Sequence, residues 1–200
     1  NGKSFDVFRV LASQNEKVIF IMSASFHHKE EGISHQAAMP NVVEPSKLQP
    51  FSKIFTDFAE KFGIQARGII GEDGPFVFHP LEYYDPFNPG IRPPKQHLWF
   101  KPNGELTLNK NIQASLLAYV SDFNLLITAL LPHNFTTPMK IASLDHAMWF
   151  HKEPIIEDWM LYEVENIAAA NGRAFCMGKI FTKKGELMAS VTQEGLIRML

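Results

Sequence analysis

The sequence predicts an α+β protein in which an antiparallel sheet wraps around one long helix, and it predicts that this unit occurs twice. Three observations support this class. The two ends of the chain share a hairpin pattern, one apolar helix is expected near residues 108–131, and alternating segments joined by short turns surround it. The chain has no counterpart of that helix ahead of the first hairpin. We therefore expect the first unit to be incomplete at its N-terminus.

The internal repeat is a match at a constant offset of 170 positions. Residues 1–5 (NGKSF) align without gaps with residues 171–175 (NGRAF). Each copy predicts a β-hairpin, with strands near 4–12 and 17–27 in the first copy and near 173–183 and 187–198 in the second. Alternation with a period of two is common, so two unrelated hairpins remain the alternative to a duplication.

The repeat also makes a prediction about the natural protein. If the second unit begins near Lys95, about 76 residues precede its hairpin, whereas the first hairpin follows Asn1 directly. We therefore expect a similar number of residues ahead of Asn1, including a counterpart of the long helix. The mass of the natural gene product tests this expectation, because a native start at Asn1 would contradict it.

The first part of the chain is punctuated by proline. Residues 29–50 are polar and contain three prolines, which predicts a loop. Large apolar residues spaced by three and four predict an amphipathic helix at 51–62, and 76–84 are expected to be extended. Four prolines within 86–94 predict a stiff connector. The predicted organisation is a first-unit remnant with its helix at 1–84, a linker at 85–94 and a second unit at 95–200.

The second unit predicts five strands and one long helix. The helix is expected from about Leu108 to Leu131, where Pro132 ends it. The strands are expected near 96–101, 140–150, 158–168, 173–183 and 187–198. Apolar side chains point in nearly every direction around the helix, which predicts that the sheet buries it.

Composition excludes several classes of protein. The chain has 200 residues, 19 basic and 21 acidic, and no basic stripe, so a nucleic-acid partner is not expected. Cys176 is the single cysteine, and the histidines show no ligand spacing on a common element, so no metal and no cofactor are expected. The apolar runs are shorter than the 18–20 residues that a membrane span needs.

Asp122 is the first candidate for chemistry, because it interrupts the apolar helix. An ionised carboxylate in such a place needs hydrogen-bond donors, an altered pKa or a water-filled cleft. It is either a structural carboxylate or a general base that orients a water.

Two further candidates lie in the predicted strands. Ser143 offers a small hydroxyl, and alternation would place it on one face with Asp145, Ala147 and Trp149. Gln193 can donate and accept at once, which suits a residue that holds a water. Each is also compatible with a purely structural role. Asp145 and His146 cannot form a base dyad in a regular strand, because adjacent residues face opposite sides.

Four ordered motifs carry a resemblance to a known family. They are residues 143–151 (SLDHAMWFH), 158–165 (DWMLYEVE), 170–173 (ANGR) and 189–198 (ASVTQEGLIR). Together they closely resemble the acyl-CoA thioesterase II family. Residues 1–5 and 22–26 are similar to the first unit of that family, so the resemblance spans nearly the whole chain.

The resemblance implies a double hot-dog fold, two helix-in-sheet units in one chain, and hydrolysis of acyl-CoA to fatty acid and CoA. It also implies that Asp122, Ser143 and Gln193 hold the attacking water, with the acyl chain in an apolar tunnel beside the helix. Ser23 stands where the first unit would carry the glutamine, which implies a supporting role for that half. We further expect a homo-oligomer, a dimer or tetramer of double units. The expected compartment is the cytoplasm, or the peroxisome if the C-terminus is trimmed.

Two alternatives to hydrolysis remain. One is a hot-dog protein that binds acyl-CoA without turnover. The other is an enoyl-CoA hydratase, whose motif carries a histidine five positions after the aspartate of Asp-x-Asn. Here Ile127 stands five positions after Asp122, which argues against hydration.

Overall fold

The structure is a computed structural model, and it describes residues 4–62, 74–82, 90–104, 109–133, 139–156 and 158–199. The described residues form two compact units that divide between His35 and Gln36. The predicted linker at 85–94 lies partly outside the described residues. The division at 1–84, 85–94 and 95–200 therefore stays a prediction.

The smaller compact unit, Asn1–His35, contains a β-hairpin. Strand β1 (Phe5–Gln14) pairs antiparallel with β2 (Lys17–His27), as the sequence predicts. Asn15 and Glu16 form the turn with φ of 48° and 64°, the left-handed values that a tight two-residue turn requires. Most of the large apolar side chains of the hairpin are exposed.

The described residues of the larger compact unit, Gln36–Leu200, form one curled antiparallel sheet and two α-helices. Its elements are α1 (Phe51–Phe62), β3 (Phe76–Pro80), β4 (Lys95–Pro102), α2 (Lys110–Ser121), β5 (Met139–Ser143), β6 (Ala147–Phe150), β7 (Met160–Ala170), β8 (Arg173–Thr182) and β9 (Leu187–Met199). The sheet order is β3-β4-β7-β8-β9-β5, and β6 also pairs with β9. The helix predicted at 51–62 and the hairpin of β8 and β9 are confirmed.

The main core lies between α2, the segment after it and one face of the sheet. It includes Phe100, Leu117, Val120, Leu125, Tyr162, Cys176, Ile180 and Val191, all buried. A second cluster on Trp99 and Phe181 is covered by Met39, Val42 and Leu48. The indole of Trp99 donates to the carbonyl of Val43 at 2.8 Å. Both faces of this sheet are therefore partly covered.

The prediction of one continuous helix at 108–131 is wrong. Helix α2 ends at Ser121, a turn follows, and Leu126–Leu130 form a short 3-10 helix. The physical reason is Asn124, whose φ of 60° cannot continue an α-helix. Asp122 therefore caps the helix and is exposed, instead of interrupting a buried helix.

Burial around the helical segment is also less complete than predicted. Ile112, Tyr119 and Ile127 are exposed, whereas Leu117 and Val120 face the sheet. By length and composition alone, Asn111–Leu130 would suffice to cross a membrane, a test that the core helix of a soluble protein also passes. The expected absence of a membrane span stays a prediction.

The predicted strand at 140–150 is interrupted. It forms β5 and β6, which both pair with β9, and residues 144–146 belong to neither. Ser143 lies opposite Gly195, and Ala147 lies opposite Thr192. Gly195 and Thr192 face opposite sides of β9, so the prediction that Ser143 and Ala147 share one face is wrong.

Candidate active site

The amide of Gln193 is the centre of the candidate site. Its Nε2 donates to Asp122 Oδ1 at 2.5 Å and to Ser143 Oγ at 3.0 Å. Gln193 is 1% exposed, whereas Asp122 and Ser143 are exposed. The structure thus brings together the three residues predicted from the sequence, with the glutamine at the floor and the other two open to solvent.

The carbonyl oxygen of this amide has a different environment. Gln193 Oε1 is buried and has no hydrogen-bond partner among the described residues. A buried acceptor without a donor is costly, so the site has capacity for one more donor. Rotating the amide would not relieve this, because Oε1 would then face the Asp122 carboxylate.

Asp122 follows the last residue of α2, and a bond from the sheet fixes the backbone at this helix end. The hydroxyl of Tyr162 in β7 donates to the carbonyl of Ser121, directly before Asp122, at 2.5 Å. Tyr162 is 1% exposed, and burial raises the pKa of its hydroxyl well above 10.0, with smaller contributions from Asp122 and Cys176. The phenol therefore stays protonated and remains a donor.

The other end of the turn is held by Asn124. Its carbonyl accepts from Gln96 Nε2 at 2.9 Å and from Thr128 Oγ1 at 3.0 Å. Gln96 lies in β4, so the turn that carries Asp122 is tied to both β4 and β7. This arrangement fixes the backbone on each side of an exposed carboxylate.

The interruption between β5 and β6 is a β-bulge that places Ser143. The amides of Leu144 and Asp145 both donate to the carbonyl of Glu194, at 2.9 and 3.4 Å. The side chain of Asp145 accepts from the amide of Glu194 at 2.8 Å. Asp145 thus caps the backbone of β9, whereas the amide of Gln193 is bound by other side chains.

His146 belongs to the site, although the sequence alone indicates no role for it. Its Nε2 lies 2.8 Å from Ser121 Oγ, and its Nδ1 lies 3.3 Å from Gln193 Nε2. Partial burial lowers the pKa of His146 from 6.5, while Asp122 and Asp145 raise it by less. The available signal was Asp145, because aspartate is depleted in regular strands and often accompanies a break.

A cavity of about 570 Å³ lies beside the turn that carries Asp122. Its wall includes Asn124 and the apolar side chains of Phe51, Ile54, Ile127 and Leu131. The polar and charged residues Glu82, Arg92, Lys95 and His97 also line it. His97 Nδ1 is 2.7 Å from Glu82 Oε1, and Lys95 pairs with Glu163 at 2.5 Å.

Within the described ranges, no group of three His, Cys, Asp or Glu side chains could hold a metal ion. Cys176 is buried, and burial raises the pKa of its thiol. Ser23, the predicted counterpart of Gln193, lies in β2 of the other compact unit.

Comparisons with known proteins agree with this architecture. A family model described as acyl-CoA thioesterase matches residues 76–196, more than half of the chain. Acyl-CoA thioesterase 2 of Haemophilus influenzae is 36% identical over 200 residues, covering 98% of this chain and 70% of that protein. Among five curated relatives the chain spans between 64% and 71% of their length.

Solved structures give the fold. The crystal structure of acyl-CoA thioesterase II TesB2 from Mycobacterium marinum has a TM-score of 0.79 at 35% identity, covering 100% of this chain and 71% of that chain. A hot-dog protein of unknown function from Alicyclobacillus acidocaldarius has a TM-score of 0.76 at 17% identity, covering 100% of this chain and 70% of that chain. With its α+β hot-dog fold, the chain belongs to the acyl-CoA thioesterase family of thioester hydrolases.

Proposed function

We propose that the protein hydrolyses acyl-CoA thioesters to free fatty acid and CoA by direct attack of a water held at Asp122, Ser143 and Gln193. The observation that carries this proposal is the convergence of Asp122 and Ser143 on the buried side-chain amide of Gln193. The carboxylate is exposed, so a thioester can approach it. No covalent acyl-enzyme is required, because a carboxylate that activates water is sufficient for hydrolysis.

The proposed reaction follows from these groups. The free oxygen of the Asp122 carboxylate accepts a proton from the water as the water oxygen bonds to the thioester carbon. The C–S bond of the resulting tetrahedral intermediate then breaks, and its electron pair leaves with sulfur. The proton reaches the CoA thiolate, so the products are a carboxylic acid and a thiol.

In this proposal Ser143 orients the water directly, and Gln193 does so indirectly by holding Ser143 and Asp122 in place. Ser143 Oγ accepts a hydrogen bond from Gln193 Nε2, so its own hydrogen is available to the water oxygen. A water that accepts from Ser143 and donates to Asp122 keeps one lone pair free for attack. Fixing the nucleophile in this way lowers the entropic part of the barrier.

We propose that the acyl chain enters the cavity lined by Phe51, Ile54, Ile127 and Leu131. The apolar lining matches a hydrocarbon chain, and the wall includes Asn124, two residues after Asp122. A cavity of about 570 Å³ is within the usual range for small-molecule sites. In this proposal the cavity is the apolar tunnel that the resemblance implies for the acyl chain.

The test is release of free CoA thiol from hexanoyl-, decanoyl- and palmitoyl-CoA by the complete natural protein. Asp122→Asn should lower kcat by about 10²–10⁴-fold, the usual contribution of a general base. Asp158→Asn, another exposed carboxylate, is the matched control and should retain activity. Acyl-CoA binding without thiol release by the unmutated protein would overturn the proposal and favour a binding protein.

Two expectations from the resemblance remain proposals. The protein is proposed to form a homo-oligomer, which light scattering of the complete natural protein measures directly. It is also proposed to act in the cytoplasm, which fractionation of the native cells tests.

A further inference from the structure

The hydrogen bonds at Ser121 assign the proton on His146. Ser121 Oγ donates its only hydrogen to the carbonyl of Ala118 at 2.7 Å. Its contact of 2.8 Å with His146 Nε2 must therefore use the imidazole as donor. This leaves His146 Nδ1 as an acceptor in the neutral ring.

The acceptor at Nδ1 faces the amide nitrogen of Gln193 at 3.3 Å. Gln193 Nε2 has two hydrogens and three acceptors around it, on Asp122, Ser143 and His146. The shorter contact with Asp122 uses one hydrogen, and Ser143 and His146 share the other. All three acceptors favour the same orientation of the amide.

A protonated ring would have the opposite effect. Its Nδ1–H would point at the N–H group of Gln193, which places two donors against each other. The charged groups that act on the ring are Asp122, at the end of α2, and Asp145, on its own segment. Partial burial outweighs both and lowers the pKa of His146, so the ring is neutral at pH 7.

We propose that neutral His146 is a positioning residue that holds the Gln193 amide in the orientation needed to order the attacking water. The proposal rests on the proposed hydrolase function, because it acts through Gln193. It predicts that loss of the acceptor at Nδ1 is more harmful than loss of the donor at Nε2.

Two substitutions separate these two ring atoms. His146→Asn retains an acceptor near the position of Nδ1 and loses the contact with Ser121. His146→Gln retains a donor near the position of Nε2 and loses the acceptor for Gln193. We expect kcat for decanoyl-CoA to be about tenfold lower in His146→Gln than in His146→Asn, with KM changed less than about twofold. The inflection that His146 contributes on the acidic side of the wild-type kcat profile should be absent from both variants.

Nitrogen NMR of the unmutated protein provides an independent test. We expect His146 to be neutral at pH 7 with its proton on Nε2 and Nδ1 in hydrogen-bonded acceptor form. Equal kcat values in the two folded variants, or a ring that is charged or protonated on Nδ1, would overturn the inference. An unmutated protein that releases no thiol would instead overturn the proposed function, so the two failures are distinct. If either variant fails to fold, the NMR result alone decides the inference.

Discussion

The hydroxyl of Tyr162 lies 2.5 Å from the carbonyl oxygen of Ser121, so β7 holds the last turn of α2 directly beneath Asp122. This bond closes the helix end by a side chain 41 residues away in the sequence. The free carbonyls of a helix C-terminus otherwise need water or a cap. Here the cap comes from the sheet and fixes the segment that carries the candidate base.

Tyr162→Phe should weaken both stability and catalysis. The substitution leaves the buried carbonyl of Ser121 without its donor, so the free energy of unfolding should fall by about 1–3 kcal/mol. Denaturant titration measures this change, and thiol release should show a lower kcat at nearly unchanged KM. Tyr119→Phe is the control, because that ring is 51% exposed. Equal stability of the two variants would show that the Tyr162 bond is not important.

Gly178→Ala should also disturb Tyr162, because Gly178 lies directly against the tyrosine ring. A methyl group at Gly178 would lie 2.8 Å from the Tyr162 hydroxyl oxygen and still closer to its ring. We expect destabilisation of about 1–3 kcal/mol, typical of overpacking a core. Gly32→Ala provides the matched comparison, because nothing lies within 4 Å of the added atom. Thermal unfolding that changes equally in both variants would contradict the predicted steric conflict.

Glu163 should make stability depend on pH. Burial alone would raise the pKa of its carboxyl, but hydrogen bonds and charges from Lys95 and Lys179 outweigh burial and hold the pKa below 4.5. The carboxylate therefore stabilises the fold fully above about pH 4.5, and this contribution is lost as pH falls through the lowered folded pKa.

Glu163→Gln tests that dependence. It should lower the free energy of unfolding by about 2 kcal/mol at pH 7, and its difference from the unmutated protein should shrink as the pH falls below 4.5. Glu165→Gln, two residues along the same strand and exposed, should have a small effect. A Glu163→Gln difference that does not vary with pH would exclude the ion pairs as its cause.

Ile127→Trp should shorten the range of acyl chains accepted. The larger side chain would fill part of the proposed acyl cavity, so kcat/KM for palmitoyl-CoA should fall about tenfold or more relative to hexanoyl-CoA. Ile112→Trp adds the same volume at an exposed position that does not line the cavity. Equal chain-length profiles in the two variants would place the acyl chain elsewhere.

Local patterns predicted much of this fold, and the reason is visible in particular elements. The helix at 51–62 and the hairpin of β8 and β9 follow from apolar spacing and from turn residues that lie close together in sequence. Residue type and position make Asp122, Ser143 and Gln193 candidates, the family resemblance implies their common role, and the structure brings them into contact.

Two features could not be read in this way, because tertiary contacts create them. The helix break after Ser121 is held by Gln96 of β4, which donates to the carbonyl of Asn124 from 28 residues away, and a local apolar pattern does not show this contact. Strict alternation along a strand predicts His146 on the opposite face from Ser143. The bulge at Leu144 and Asp145 reverses this orientation. It forms against Glu194 of β9, about 50 residues away in the sequence.

The bulge between β5 and β6 also sets a fixed length for this segment. Four steps along the chain join Ser143 to Ala147, while three steps along β9 join their partners. A deletion of one residue here would merge β5 and β6 into one regular strand and turn His146 away from Gln193. The number of residues between Ser143 and Ala147 therefore cannot change while the site is retained, whatever side chain position 144 carries.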